Sequence, residues 1–144
     1  MIQYTILPEE AKHLAINLDG KDLARCYNGN LYIYDANSLK NKYKKKGKTQ
    51  ISIEEMRYSP DGKYLATGGE DKDQDTFHHV FIYDVELKYK RLKKMKGHTS
   101  RVTHIDWSES GDYTQSNSTS YELLYHDVSS GRQVTNISAF AGTE

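Results

Sequence analysis

Residues 96–131 read KGHTSRVTHIDWSESGDYTQSNSTSYELLYHDVSSG. A Gly-His pair, Gly97-His98, stands near its start, and an apolar run follows that ends on Trp107. Ser110-Gly111 then supplies a turn, because glycine takes positive φ at no steric cost, and a second short run ends on Asp127. The order is strand, tight turn, strand, and a closing aspartate.

The same order occurs twice more. HLAINLDGKDLARCYNGNLYIYDANSL begins at His13, and EMRYSPDGKYLATGGEDKDQDTFHHVFIYDVEL begins at Glu55. The turn glycines are Gly20, Gly62 and Gly111, and the closing aspartates are Asp35, Asp84 and Asp127. Pro60 pre-sets φ for the middle turn. LYIYD, VFIYD and ELLYHD are short runs rich in β-branched and aromatic residues, as inner strands require, and Asn28-Gly29-Asn30 is a hairpin signal. A period in the forties that closes on Asp is the pattern of four-stranded propeller blades. The expected fold is all-β, a partial β-propeller of about three blades, at about 11–48, 51–96 and 101–137. Propellers close with roughly four to eight blades, so three imply a piece of a longer chain or completion by another subunit.

Composition narrows the class. No run of about 18 apolar residues is present, and the start MIQYTILPEE lacks the basic and apolar regions of a signal peptide. The single cysteine, Cys26, lies in the strand-like run LARCY and reads as a small buried residue in a reducing compartment. The acidic stretch EDKDQDTFHH reads as a solvated loop, because Thr76 and Ile82 stand where a calcium loop needs Gly and Glu. Net charge is zero, but residues 40–48 and 88–96 each hold six cations, together 12 of the 20 Lys and Arg. The remainder of the chain is therefore acidic.

Gly-His, turn and closing Asp resemble the WD-repeat superfamily. HTSRVTHIDWS followed by SNSTSYELLYHD closely resembles a blade of the echinoderm microtubule-associated protein-like family, and MRYSPDGKYLA at 56–66 resembles the start of the blade before it. The resemblance places the segment late in the second of that family's two propellers. It implies a buried hydrogen-bonded tetrad of loop His, strand Ser or Thr, Trp and turn Asp. His98 and Ser116 or Ser118 fit the first two places, whereas His126 stands at the Trp position and Ser120 at the Asp position, so the tetrad is incomplete. Tyr34 and Tyr83 replace the Trp in the other two blades. Trp107, Asp35, Asp84 and Asp127 join His98 and Ser116 as expected structural residues.

No nucleophile elbow, phosphate loop or zinc spacing is present. His98 and His104 lie near Asp106 and Ser108, yet His98 already has a place in the blade pattern. The expectation is a non-enzyme without metal or cofactor. The basic runs offer a partner surface of Lys42, Lys44, Lys45, Lys46, Lys48, Lys88, Lys90, Arg91, Lys93, Lys94 and Lys96, with Tyr43, Tyr89, Leu92 and Met95 contacting the blade beneath. An acidic partner suits it, and tubulin with its acidic tails suits both patch and resemblance. The expected protein is a microtubule- or tubulin-associated scaffold, cytoplasmic at the cytoskeleton, with the axoneme of a cilium or flagellum as the narrower form. A general WD-repeat adaptor without tubulin is the alternative. Nucleic acid is a lesser option, because an isoelectric point near 7.0 is not that of a dedicated binder.

Overall fold

Among the residues that the computed structural model describes, 13–27, 30–45, 50–71 and 78–135, the chain forms strands and turns and no helix. The first sheet holds β1 (His13–Ile16), β2 (Asp22–Tyr27), β3 (Asn30–Asp35) and β4 (Asn41–Lys45). The second holds β5 (Gln50–Tyr58), β6 (Tyr64–Asp71), β7 (His78–Asp84) and β8 (Lys90–His98), and the third β9 (Val102–Trp107), β10 (Tyr113–Ser118) and β11 (Leu123–Asp127). Each sheet is an antiparallel meander in chain order. The first strands β1, β5 and β9 lie beside one another in succession, which leaves β4 and β8 at the outer edges. This is the arrangement of consecutive blades in a partial β-propeller. Beside β11, Gln133 forms a single bridge with His126, and Val134 N–H donates to Tyr125 O at 2.7 Å.

The sequence repeat reappears as repeated hydrogen bonds. Gly20, Gly62 and Gly111 each donate to the carbonyl three residues earlier, at 2.8, 2.9 and 3.0 Å, with φ of 73°, 75° and 78°. Only glycine holds that conformation without cost. Asp35, Asp84 and Asp127 cap the turn after the third strand. Their Oδ1 atoms accept N–H groups of Asn37 and Ser38, Leu87, and Ser130. Backbone N–H groups of Ser38 and Asn37 hold the Asp35 carboxyl below its ordinary range, and Ser129 with Ser130 does the same for Asp127.

The turn after Asp84 is one residue longer than its counterparts. Leu39 and Gly131 donate to the carbonyl four residues back, whereas Tyr89 N–H reaches Asp84 O five residues back. Lys88 and Tyr89 both take left-handed φ, 55° and 61°, to close it. That costly conformation turns the Tyr89 ring inward.

Two apolar seams join the sheets. Ala24, Cys26, Leu31, Ile33, Ile53, Met56, Leu65 and Tyr89 fill the first, and Ala66, Val80, Ile82, Met95, Val102, Ile105 and Val128 fill the second. β7 serves both, because successive side chains leave a strand on opposite faces. Val80 and Ile82 belong to the second seam while Tyr83 packs on the first. β9 approaches β6 so closely that a Cβ on Gly68 would stand 2.6 Å from Val102 Cγ1.

Candidate protein-binding surface

The two basic runs lie on the outer edges, β4 and β8, and the structure brings them together at one point. Tyr43 and Tyr89 approach with ring centroids 6.0 Å apart. Lys46 and Lys48 fall outside the described residues. Lys42 is committed elsewhere, its Nζ lying 2.7 Å from the buried carboxylate of Asp22, and that hydrogen bond raises its pKa. Asp22 in turn accepts the Tyr89 hydroxyl, which also meets the Tyr58 hydroxyl at 2.9 Å. Burial first, and then the bond to Asp22, push the Tyr89 phenol far up. Lys42, Asp22, Tyr89 and Tyr58 thus clasp the first two sheets.

Most other described cations of the runs face solvent, whereas Lys45 is half-buried. Lys44 stands over the Tyr32 ring at 5.5 Å and Arg91 over the Phe81 ring at 4.7 Å. Lys93 is half-buried, its chain lying against Gly131. Lys88, Lys90, Arg91, Lys94 and Lys96 are exposed, and none of them pairs with a carboxylate among the described residues. Beneath them Tyr89 and Met95 are buried, whereas Leu92 is 39% exposed. Cations near the inner strands behave differently, because they lie beside carboxylates. Arg57 approaches Asp106 at 3.6 Å, Arg101 approaches Glu54 at 3.3 Å, and His104 lies between Glu55 and Asp106 at 3.1 and 2.9 Å.

The residues of the expected tetrad meet between the second and third sheets, His98 at the end of β8 and Ser116 on β10. His98 Nε2 and Ser116 Oγ are 2.7 Å apart, and both residues are buried. At the top of the seam His126 Nε2 donates to Lys96 O at 2.6 Å. The carboxylate comes from Glu122, two residues beyond the expected Ser120. Its Oε1 accepts Thr99 N–H at 2.9 Å and Ser118 Oγ at 2.8 Å. Glu122 Oε1 lies 3.5 Å from His98 Nδ1, an approach and not a hydrogen bond. Trp107 does not join this group. It stacks on Tyr64 at 6.3 Å and donates Nε1–H to Arg57 O at 3.0 Å.

Among the described residues, Ser108, Ser116, His98 and His104 do not assemble a Ser-His-Asp arrangement. Ser116 is wholly buried with His98, and Ser108 Oγ is taken by Ser110 Oγ and Tyr113 N–H while His104 contacts two carboxylates. His98→Ala is expected to cost about 1–3 kcal/mol, the penalty for leaving buried Ser116 without its partner. Thermal unfolding of the full-length protein would show it, and an unchanged midpoint would deny His98 this role.

Burial is the main cause that holds His98 and His126 below their ordinary 6.5, against the opposing pull of Glu122 and of Lys96 O respectively. The fold favours the neutral rings, so below that value the unfolded chain binds more protons. Stability is expected to be full above pH 6.5 and to fall as pH drops from there. A separate loss follows at about pH 4 and below, as Asp35, Asp127 and Glu122 protonate. Urea midpoints measured at about pH 7.5 and about pH 5.5 would agree within error if the imidazoles played no part.

Comparison with known proteins places these features in context. A family described as echinoderm microtubule-associated protein second beta-propeller matches residues 1–144. Echinoderm microtubule-associated protein-like 3 of Homo sapiens is 43% identical over 94 residues, which cover 62% of this chain and 10% of that protein. Echinoderm microtubule-associated protein-like 1 of Rattus norvegicus is 42% identical over 94 residues, 63% of this chain and 11% of its own length. The 77 kDa echinoderm microtubule-associated protein of Strongylocentrotus purpuratus is 43% identical over 91 residues, 61% of this chain and 12% of that one. The chain thus matches about a tenth of the length of these curated relatives.

Proposed function

Because the chain belongs to the echinoderm microtubule-associated protein-like family, as part of its second β-propeller, we propose that it is a non-catalytic scaffold that binds microtubules or tubulin in the cytoskeleton. Of its three blades, about 11–48, 51–96 and 101–137, the first two carry the contact surface on their outer strands β4 and β8. The observation that carries the proposal is the row of cations on β8 that meet no carboxylate among the described residues, whereas Arg57 and Arg101 each meet one. Lys44 and Lys45 extend the row along β4. Long-range attraction for an acidic surface follows, screened beyond about 8 Å at physiological salt.

Co-pelleting of the full-length protein with microtubules tests this reading. Binding is expected to weaken as salt rises and to weaken again once subtilisin has removed the acidic tubulin tails. Pelleting indifferent to both treatments would refute the charge mechanism. Complete failure to pellet would favour a general WD-repeat adaptor.

A further inference from the structure

We propose that the outer edge of β8 receives an extended acidic peptide as an added β-strand. The inference rests on the reading that this surface meets an acidic partner, and it supplies the mode of contact.

β8 is the last strand of its sheet, and it is nine residues long. On an edge strand alternate residues turn N–H and C=O groups away from the neighbouring strand, and these form a template for another chain. One end is already occupied, since Lys96 O accepts the His126 ring. At the other end Lys90 N–H donates to Leu87 O at 3.1 Å, so Arg91 to Met95 remain, about 17 Å of strand at roughly 3.3 Å per residue.

The side chains along this edge select the guest. Arg91 and Lys94 sit in register with Tyr83 and Phe81, and Lys93 with Ile82 on the opposite face. Cations therefore flank the edge on both faces. A guest strand also alternates its side chains, so successive carboxylates meet cations whichever way they point. Lysines on an edge repel a basic edge and lose hydration against a neutral one, which guards against indiscriminate pairing. An acidic peptide lifts that barrier by neutralising it. β4 is the poorer edge, because it is only five residues long and Lys42 is held by Asp22.

The test uses full-length protein and fluorescein-labelled oligoglutamate, followed by anisotropy. A second oligoglutamate carries an N-methyl group on every backbone nitrogen, which keeps its charge and removes the donors from both edges of a strand. The unmodified peptide is expected to bind, the methylated one at least about tenfold more weakly, because several main-chain hydrogen bonds are lost. Equal affinity for the two peptides overturns the strand mode. If microtubule pelleting still depends on Lys90, Arg91, Lys93 and Lys94, the proposed function survives that result. If substituting those four residues by Gln changes neither peptide binding nor pelleting, both readings fall. Oligothymidylate of matching charge that binds as tightly as oligoglutamate also overturns the strand mode, since nucleic acid has no peptide backbone to pair.

Discussion

Replacement of Tyr89 by alanine is expected to cost about 3–5 kcal/mol of stability, the range for losing a large buried ring. Tyr89 is 1% exposed and belongs to the core of the first seam. Its hydroxyl joins Asp22 of the first sheet to Tyr58 of the second. Alanine would leave a cavity, and would also leave Asp22 buried with Lys42 as its remaining side-chain partner among the described residues. Tyr89→Phe separates the two contributions. It keeps the ring and removes the bridge, so its cost should be about 1–3 kcal/mol. Urea unfolding of the full-length protein reads both. A Tyr89→Ala variant that unfolds at the wild-type midpoint would mean that the clasp does not hold the first two sheets together.

Changing Lys90, Arg91, Lys93 and Lys94 together to Gln is expected to weaken microtubule binding about tenfold at moderate salt. Each exposed charge contact is worth about 0.3–0.5 kcal/mol, and four of them approach the roughly 1.4 kcal/mol of one decade. Stability should move by less than about 0.5 kcal/mol per exposed site. Lys93 is the exception to watch, because its aliphatic chain packs against Gly131. Lys44→Gln and Lys45→Gln on β4 should give a smaller loss that adds to the first. A cation paired away from the outer edge supplies the control, and Arg101→Gln is expected to leave pelleting unchanged. If it weakens pelleting as much as the β8 variant does, the rim is not the contact surface.

Much of the blade framework is legible before any coordinates, because its signals are local. A turn that needs positive φ demands glycine, so Gly20, Gly62 and Gly111 mark the period outright. The closing aspartates are visible for a similar reason, since a carboxylate capping the next few N–H groups must sit at a fixed offset. The features that escape are those set by distant partners. Tyr89 reads as one aromatic among lysines, and nothing in its neighbours announces an Asp 67 positions earlier. Two non-glycine residues with left-handed φ leave no mark in the sequence, so the extra residue in that turn is hidden. Glu122 is missed because the pairing of β9 with β10 shifts register at Asn117 and Ser118, which changes the offset at which a carboxylate reaches the seam. Charge itself is legible in the two basic runs. Which of those charges is already neutralised is not, and Lys42 illustrates it, its partner lying 20 residues away on another strand.

The chain-order pairing of every sheet has a consequence for how the molecule is made. A ribosome releases β1 before β2 and β2 before β3, and each new strand finds its partner already beside it. Short closures of this kind are entropically cheap and fast. Contacts across a seam are another matter, since the bond between Asp22 and Tyr89 cannot form until 67 further residues have emerged. During synthesis the first sheet therefore waits, paired along its strands but with one face uncovered, and the docking of completed blades becomes the slow step.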